Sequence, residues 1–214
     1  MQKDSQSFLE KNPYGLQEYL SIGYIYLIIL GILSDVIYYR FFNINILPYS
    51  SLSDIIMAPI NTLTNDIRLL IAVIVMIIAI YFFYAKFLPS FHQKNRDKSW
   101  YRKTIIDIEK ADKGYASLKE GKSLFTLVFT FFTLMFLGIK IGSGMSLKSK
   151  IETGEIKLSH IIVSNDNTEK HVKIIGQNSS YIFYVAENQT DVTIIPISGN
   201  IKEIKGFKNF EIKK

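Results

Sequence analysis

Gly31–Phe42 reads GILSDVIYYRFF and follows directly on Tyr19–Leu30, YLSIGYIYLIIL. Together they form one apolar run with an acid, Asp35, set inside it. A helix of roughly 20 apolar residues crosses a bilayer, and a carboxylate in hydrocarbon is costly. With the span ending near Tyr39, Asp35 lies about one turn from that end, roughly 6 Å at 1.5 Å per residue. Two readings follow. Asp35 is an interfacial acid that meets water or headgroups, or, with Ser34, it faces a partner helix or a water-filled path. Arg40 is a candidate partner, although five residues lies off the ideal helical spacing.

Two further runs support the membrane reading. Leu69–Leu88, LLIAVIVMIIAIYFFYAKFL, holds no charge before Lys86, and Leu124–Gly142, LFTLVFTFFTLMFLGIKIG, is the third. Three such runs in 214 residues argue against three buried soluble helices. Tyr38, Tyr39, Phe41 and Phe42 end the first span, and Tyr81–Tyr84 end the second. Such rings suit the interface, apolar at one end and hydrated at the other.

The expected organisation is a polar segment over 1–18, a three-span membrane domain over 19–145, and a β-rich soluble domain over 150–214. The polar start has neither a basic head nor a small-residue cleavage site, so the first span is expected to be retained. The formal net charge of +6 is concentrated in the 89–122 loop, which carries Lys94, Arg96, Lys98, Arg102, Lys103, Lys110, Lys113, Lys119 and Lys122. Beside apolar spans this is a topology signal, not a nucleic-acid patch. It places the loop in the cytoplasm and, after three crossings, the C-terminal domain outside. Lys140, Lys148 and Lys150 pull the other way. Heavy use of Ile, Lys and Asn suggests a bacterial chain, hence an inner membrane. There is no cysteine, which excludes disulfides, thiolate catalysis and Cys-ligated zinc.

Between the first two spans, Leu47–Ile60 reads LPYSSLSDIIMAPI. Pro48 breaks the helix, and Ser51 with Asp54 has the spacing of a capping box. A short amphipathic helix is expected from about Leu52 to Ala58, with Pro59 discouraging its extension. It lies on the surface, or it re-enters the membrane beside protein or water. In the third span Thr126, Thr130 and Thr133 form a stripe, with hydroxyls that bond back into the helix, pack against a neighbour or line a hydrated path. Asp35, Ser34, Asp54 and these threonines are the polar-path candidates. Gly138 and Gly142 have GxxxG spacing, which suits close packing or a flexible exit. In the basic loop, Trp100, Tyr101, Arg102 and Lys103 are candidates for the membrane surface, with anionic lipid a conceivable target.

After Lys150 the pattern becomes short Ile-, Val- and Tyr-rich stretches punctuated by NDN, GQNSS and ENQ. About five strands are expected, in a small SH3-like or Sm-like barrel. His160 and His171 fall on neighbouring strands and could meet, but no further ligand cluster accompanies them. No nucleophile elbow, P-loop, zincin or dinucleotide motif occurs, so neither enzyme activity nor a cofactor is expected.

This layout, three spans followed by a small β domain, is similar in outline to the small-conductance mechanosensitive channels. The Phe-rich third span departs from the Gly- and Ala-dense pore helix of that family, so the resemblance transfers no residue. Beside that outline, Asp35, the Asp54 helix and the threonine stripe point to a homo-oligomeric channel or pore-forming effector gated through the β domain, since three spans are too few to enclose a wide path alone. The alternative is a non-conducting membrane-anchored module whose β domain binds a ligand or protein partner.

Overall fold

A computed structural model describes residues 16–64, 67–105, 107–119 and 122–207. The expected polar segment over 1–18 lies outside them except for Leu16–Glu18, which open the first helix. Helix α1 spans Leu16–Arg40, and Asn43, at φ 58°, follows it in the left-handed conformation that Asn tolerates. A 3-10 turn, Leu47–Tyr49, precedes α2, Leu52–Thr64. The second apolar stretch is continuous helix in three registers: α3 Ile67–Ile80, a π-helical segment Tyr81–Phe87, and α4 Leu88–Asn95. Helices α5, Ser99–Thr104, and α6, Ile108–Lys119, follow. Helix α7 runs from Lys122 to Glu152.

Among the described residues three helical stretches are long and apolar enough to cross a membrane: Leu20–Arg40, Ile67–Asn95 and Thr126–Glu152. Their most apolar windows are only 17%, 11% and 11% buried. Apolar helices this exposed require lipid or another protein around them.

The ends of these stretches differ from the sequence expectations, each for a local reason. Pro89 does not end the second helix. Its ring nitrogen cannot donate to Ala85, and the chain absorbs this by widening to π, with the Leu88 amide donating to the Phe83 carbonyl. The basic loop therefore begins as helix, and the chain leaves α4 only after Asn95. The third helix does not stop at Gly142 but continues to Glu152, so Gly138–Gly144 is helical and the connection to the first strand comes only at 153–159. Pro59 does not end α2, which runs on to Thr64.

The strands are β1 His160–Ser164, β2 Glu169–Gln177, β3 Tyr181–Ala186, β4 Thr193–Pro196 and β5 Ile201–Gly206. They form one antiparallel sheet in the order β4-β3-β2-β1-β5. The expected barrel is corrected here: the sheet is open, because the edge strands β4 and β5 pair with β3 and β1 and not with each other. The connection 197–200 links the two edges, so the sheet curls. Closure is by side chains: Ile162, Val172, Ile182 and Tyr184 pack with Ile195, Ile197, Ile201 and Ile204.

The other face of the sheet is covered by helix ends. Phe183, Val185 and Ile175 are buried with Tyr39 of α1, Ile46 and Ile151 of α7. Strand β3 serves both faces by simple alternation, Tyr181, Phe183 and Val185 to the helices and Ile182 and Tyr184 to the curl. That strand is buried on both sides, as its YIFYV core demands.

The chain separates into two compact units, Met1–Ile60 with Leu137–Lys214, and Asn61–Phe136. The first contains the sheet, α1 and the C-terminal half of α7.

Candidate functional site at the helix–sheet joint

The polar groups of the first unit gather where α1 and α7 meet the sheet. Lys140 Nζ lies 3.6 Å from Asp35 Oδ1, with the side chains 16% and 17% exposed. The ammonium also sits 5.5 Å from the centre of the Tyr38 ring, within cation–π range. The partner of Asp35 is thus Lys140 of α7, not Arg40. Ser34, fully buried, donates its hydroxyl to the Gly31 carbonyl, one turn back in its own helix.

Next along α1, two tyrosines grip strand β2. The Tyr38 hydroxyl donates to the Ile175 carbonyl at 2.8 Å. The Tyr39 ring packs on Phe183, centroids 4.8 Å apart. The register of β2 on β3 slips between Ile174 and Gly176, so the ladder is bulged where the tyrosines dock. Gly176 is required there, since a Cβ would run into the Tyr39 hydroxyl. Gly144 of α7 likewise admits the Phe41 ring, whereas a Cβ at Gly138 or Gly142 would meet nothing. The GxxxG pair therefore makes no close approach among the described residues.

Asp54 forms a second clasp. It accepts the Ser51 amide at 2.9 Å and the Ser51 hydroxyl at 2.6 Å, closing the capping box. It also accepts the Ser179 amide and hydroxyl, both at 3.0 Å, from the β2–β3 turn. Asn178 of the same turn donates to the Tyr49 carbonyl at 2.8 Å. Partial burial pushes the Asp54 carboxyl up, but the hydrogen bonds from Ser51 and Ser179 outweigh it and hold the group below its ordinary value.

Gly31 and Pro59 share one contact. Proline lacks the amide that would bond the carbonyl of Ile55, four residues back. That carbonyl lies against Gly31 of α1, where any Cβ would collide with it. The proline frees the oxygen and the glycine gives it room, which is how α2 continues through Pro59 and packs close to α1.

The threonine stripe bonds within its own helix. Thr130 donates to the Thr126 carbonyl at 2.9 Å, and Thr133 to the Phe129 carbonyl at 2.8 Å.

The second unit holds a cluster that the sequence did not suggest. His92 is buried, with Nδ1 2.8 Å from the Tyr101 hydroxyl and Nε2 2.7 Å from Asp112 Oδ1. Arg96 donates to the other Asp112 oxygen at 2.6 Å. The hydrogen bond from His92, then that from Arg96, holds the Asp112 carboxyl below its ordinary value. Of the membrane-surface candidates, Tyr101 is buried in this cluster, Trp100 and Lys103 are exposed, and Arg102 pairs with Asp97 at 3.1 Å.

His160 and His171 do not meet. Register pairs His160 with Val172 and His171 with Ile161, which sets the two rings on opposite faces. Among the described residues no group of three His, Asp or Glu is placed to hold a metal.

Lys140, Asp112 and His92 are what sequence reasoning missed as partners. Lys140 was legible as a lone cation near the end of the third apolar run. The Asp112–His92 contact joins two helices, and neither residue stands out alone. Comparison with family models, with curated proteins and with solved structures finds no match for this chain.

Proposed function

We propose that this chain is a multi-pass membrane protein whose C-terminal sheet receives a ligand or protein partner and passes that event to α1 and α7. The observation that carries the reading is the pair Tyr38 and Tyr39, consecutive residues at the end of a membrane-length helix, both seated on the β2 bulge. A sheet merely tethered to the membrane needs a linker. Here the helix ends supply half of its core, so displacing the sheet displaces the helices. The basic segment 89–122 then lies in the cytoplasm and the sheet on the outer side of a bacterial inner membrane. The test is site-specific labelling of single cysteines, at Lys94 and at Lys202, in intact cells. Labelling of Lys202→Cys but not Lys94→Cys by an impermeant reagent supports this arrangement, and the reverse pattern refutes it.

A second reading, a homo-oligomeric ion channel or pore-forming effector, draws support from the Asp35–Lys140 pair set between apolar helices. Charged pairs in such positions commonly mark polar paths. Reconstitution in liposomes separates the two: a defined ring with ion flux favours the pore, and a monomer or dimer without flux favours the receptor module.

A further inference from the structure

We propose that a cleft between the C-terminal half of α7 and the helix-facing side of the sheet binds the phosphodiester headgroup of an anionic phospholipid. The cleft has a volume of about 870 Å³ and is lined by Ser143, Ser146 and Lys150 of α7, by Lys157 and Lys173 of the sheet side, and by Tyr38.

The α7 residues recur at spacings of three and four, so Ser143, Ser146 and Lys150 form one stripe along the helix. Serine and threonine in these helices ordinarily return the hydroxyl to a carbonyl one turn back, as Ser21, Thr130 and Thr133 do. Among the described residues Ser143 and Ser146 make no such bond, which leaves two hydroxyl donors on the cleft wall uncommitted. Lys150, Lys157 and Lys173 form no ion pair among the described residues either. Lys173 lies opposite Val185, on the face that carries the apolar contact with the helices. Three ammonium groups face one acid on the cleft wall, Glu155. Two hydroxyl donors and three cations suit phosphate oxygens.

The position selects the source of the phosphate. Helix α7 turns from Phe- and Leu-rich to GIKIGSGMSLKSK around Gly138, and Tyr38 stands two residues before the end of α1. The cleft therefore lies at the C-terminal ends of the membrane-length stretches Leu20–Arg40 and Thr126–Glu152, past the Phe- and Leu-rich part of α7, where headgroups are reached. Leu147 and Ile156 in the same wall offer apolar contact to the glycerol and the start of an acyl chain, which a free phosphate would not use. The proposal rests on the membrane-spanning reading and is independent of any partner at the sheet.

The test uses the full-length protein reconstituted in phosphatidylcholine vesicles with and without phosphatidylglycerol. Flotation verifies insertion, and native mass spectrometry of the extracted protein counts retained lipid. Phosphatidylglycerol should be retained over phosphatidylcholine. The triple variant Lys150→Gln, Lys157→Gln, Lys173→Gln should lose affinity on the order of a hundredfold. The corresponding triple arginine variant, a control for folding, should keep it. Equal retention of phosphatidylglycerol by the wild type and the glutamine variant overturns the proposal. So does a thermal shift with inorganic phosphate in the absence of lipid retention, which assigns the cleft to a free phosphate. Failure to float overturns the membrane reading and this inference with it.

Discussion

Lys140 Nζ stands 3.6 Å from Asp35 Oδ1, joining the first membrane-length helix to the last. Both side chains are largely shielded, so removing one partner strands a charge. Asp35→Leu should destabilise the protein by about 3 kcal/mol, and the double variant Asp35→Leu, Lys140→Met should recover a good part of that loss. Denaturation in detergent around the full double-mutant cycle measures the coupling. Additive single effects would show that the pair contributes nothing.

Gly31 and Pro59 make a paired prediction. Gly31→Ala drives a methyl group into the Ile55 carbonyl and should cost about 1–3 kcal/mol. Pro59→Ala restores an amide to draw that carbonyl back into α2. The double variant should therefore be more stable than Gly31→Ala alone. Thermal unfolding of the three variants decides it, and a double variant worse than both singles would contradict this geometry.

The Asp54 clasp predicts a pH dependence of definite sign. Its folded carboxyl lies below the ordinary 3.8, so the ionised form is favoured by folding. That stability is complete above the unfolded value and is lost as pH falls through the folded one. Wild type and Asp54→Asn should diverge most above about pH 4 and converge below it. Melting temperatures measured across the acid range test this, and a constant gap between the two proteins would reject it.

The sheet should not stand alone. Tyr39, Ile46 and Ile151 bury one of its faces, and a fragment 150–214 would expose Ile175, Phe183 and Val185. Such a fragment should be aggregated or molten by circular dichroism and proton NMR. A dispersed, cooperative spectrum would show that the helix ends are dispensable. Within the whole protein, Tyr38→Phe should cost about 1 kcal/mol by removing the bond to Ile175. Gly176→Ala should cost more, because it displaces Tyr39 as well.

Much of the architecture was legible in the chain itself. Runs of apolar residues as long as a bilayer is thick specify membrane-length helices whatever surrounds them, because the backbone must satisfy its own hydrogen bonds. The Ser51–Asp54 capping box is equally local, and its geometry appears as the spacing predicts. Short alternating stretches gave the strands for the same reason: one residue in two must face a core.

What the sequence could not fix is every relation between distant segments. Pro59 and Pro89 look like helix ends in isolation. They are not ends, because a neighbouring Gly31 receives one freed carbonyl and a π-helical turn absorbs the missing bond at the other. Asp35 is an isolated acid by spacing, and only the approach of α7 supplies Lys140. The open sheet is the same kind of fact. Alternation demands cover for two faces but cannot say whether a strand or a helix provides it. Here Tyr39, Ile46 and Ile151 cover one face, and side chains of the two edges, Ile195, Ile197, Ile201 and Ile204, cover the other. Local patterns state which surfaces must be buried, and only the tertiary fold chooses what buries them.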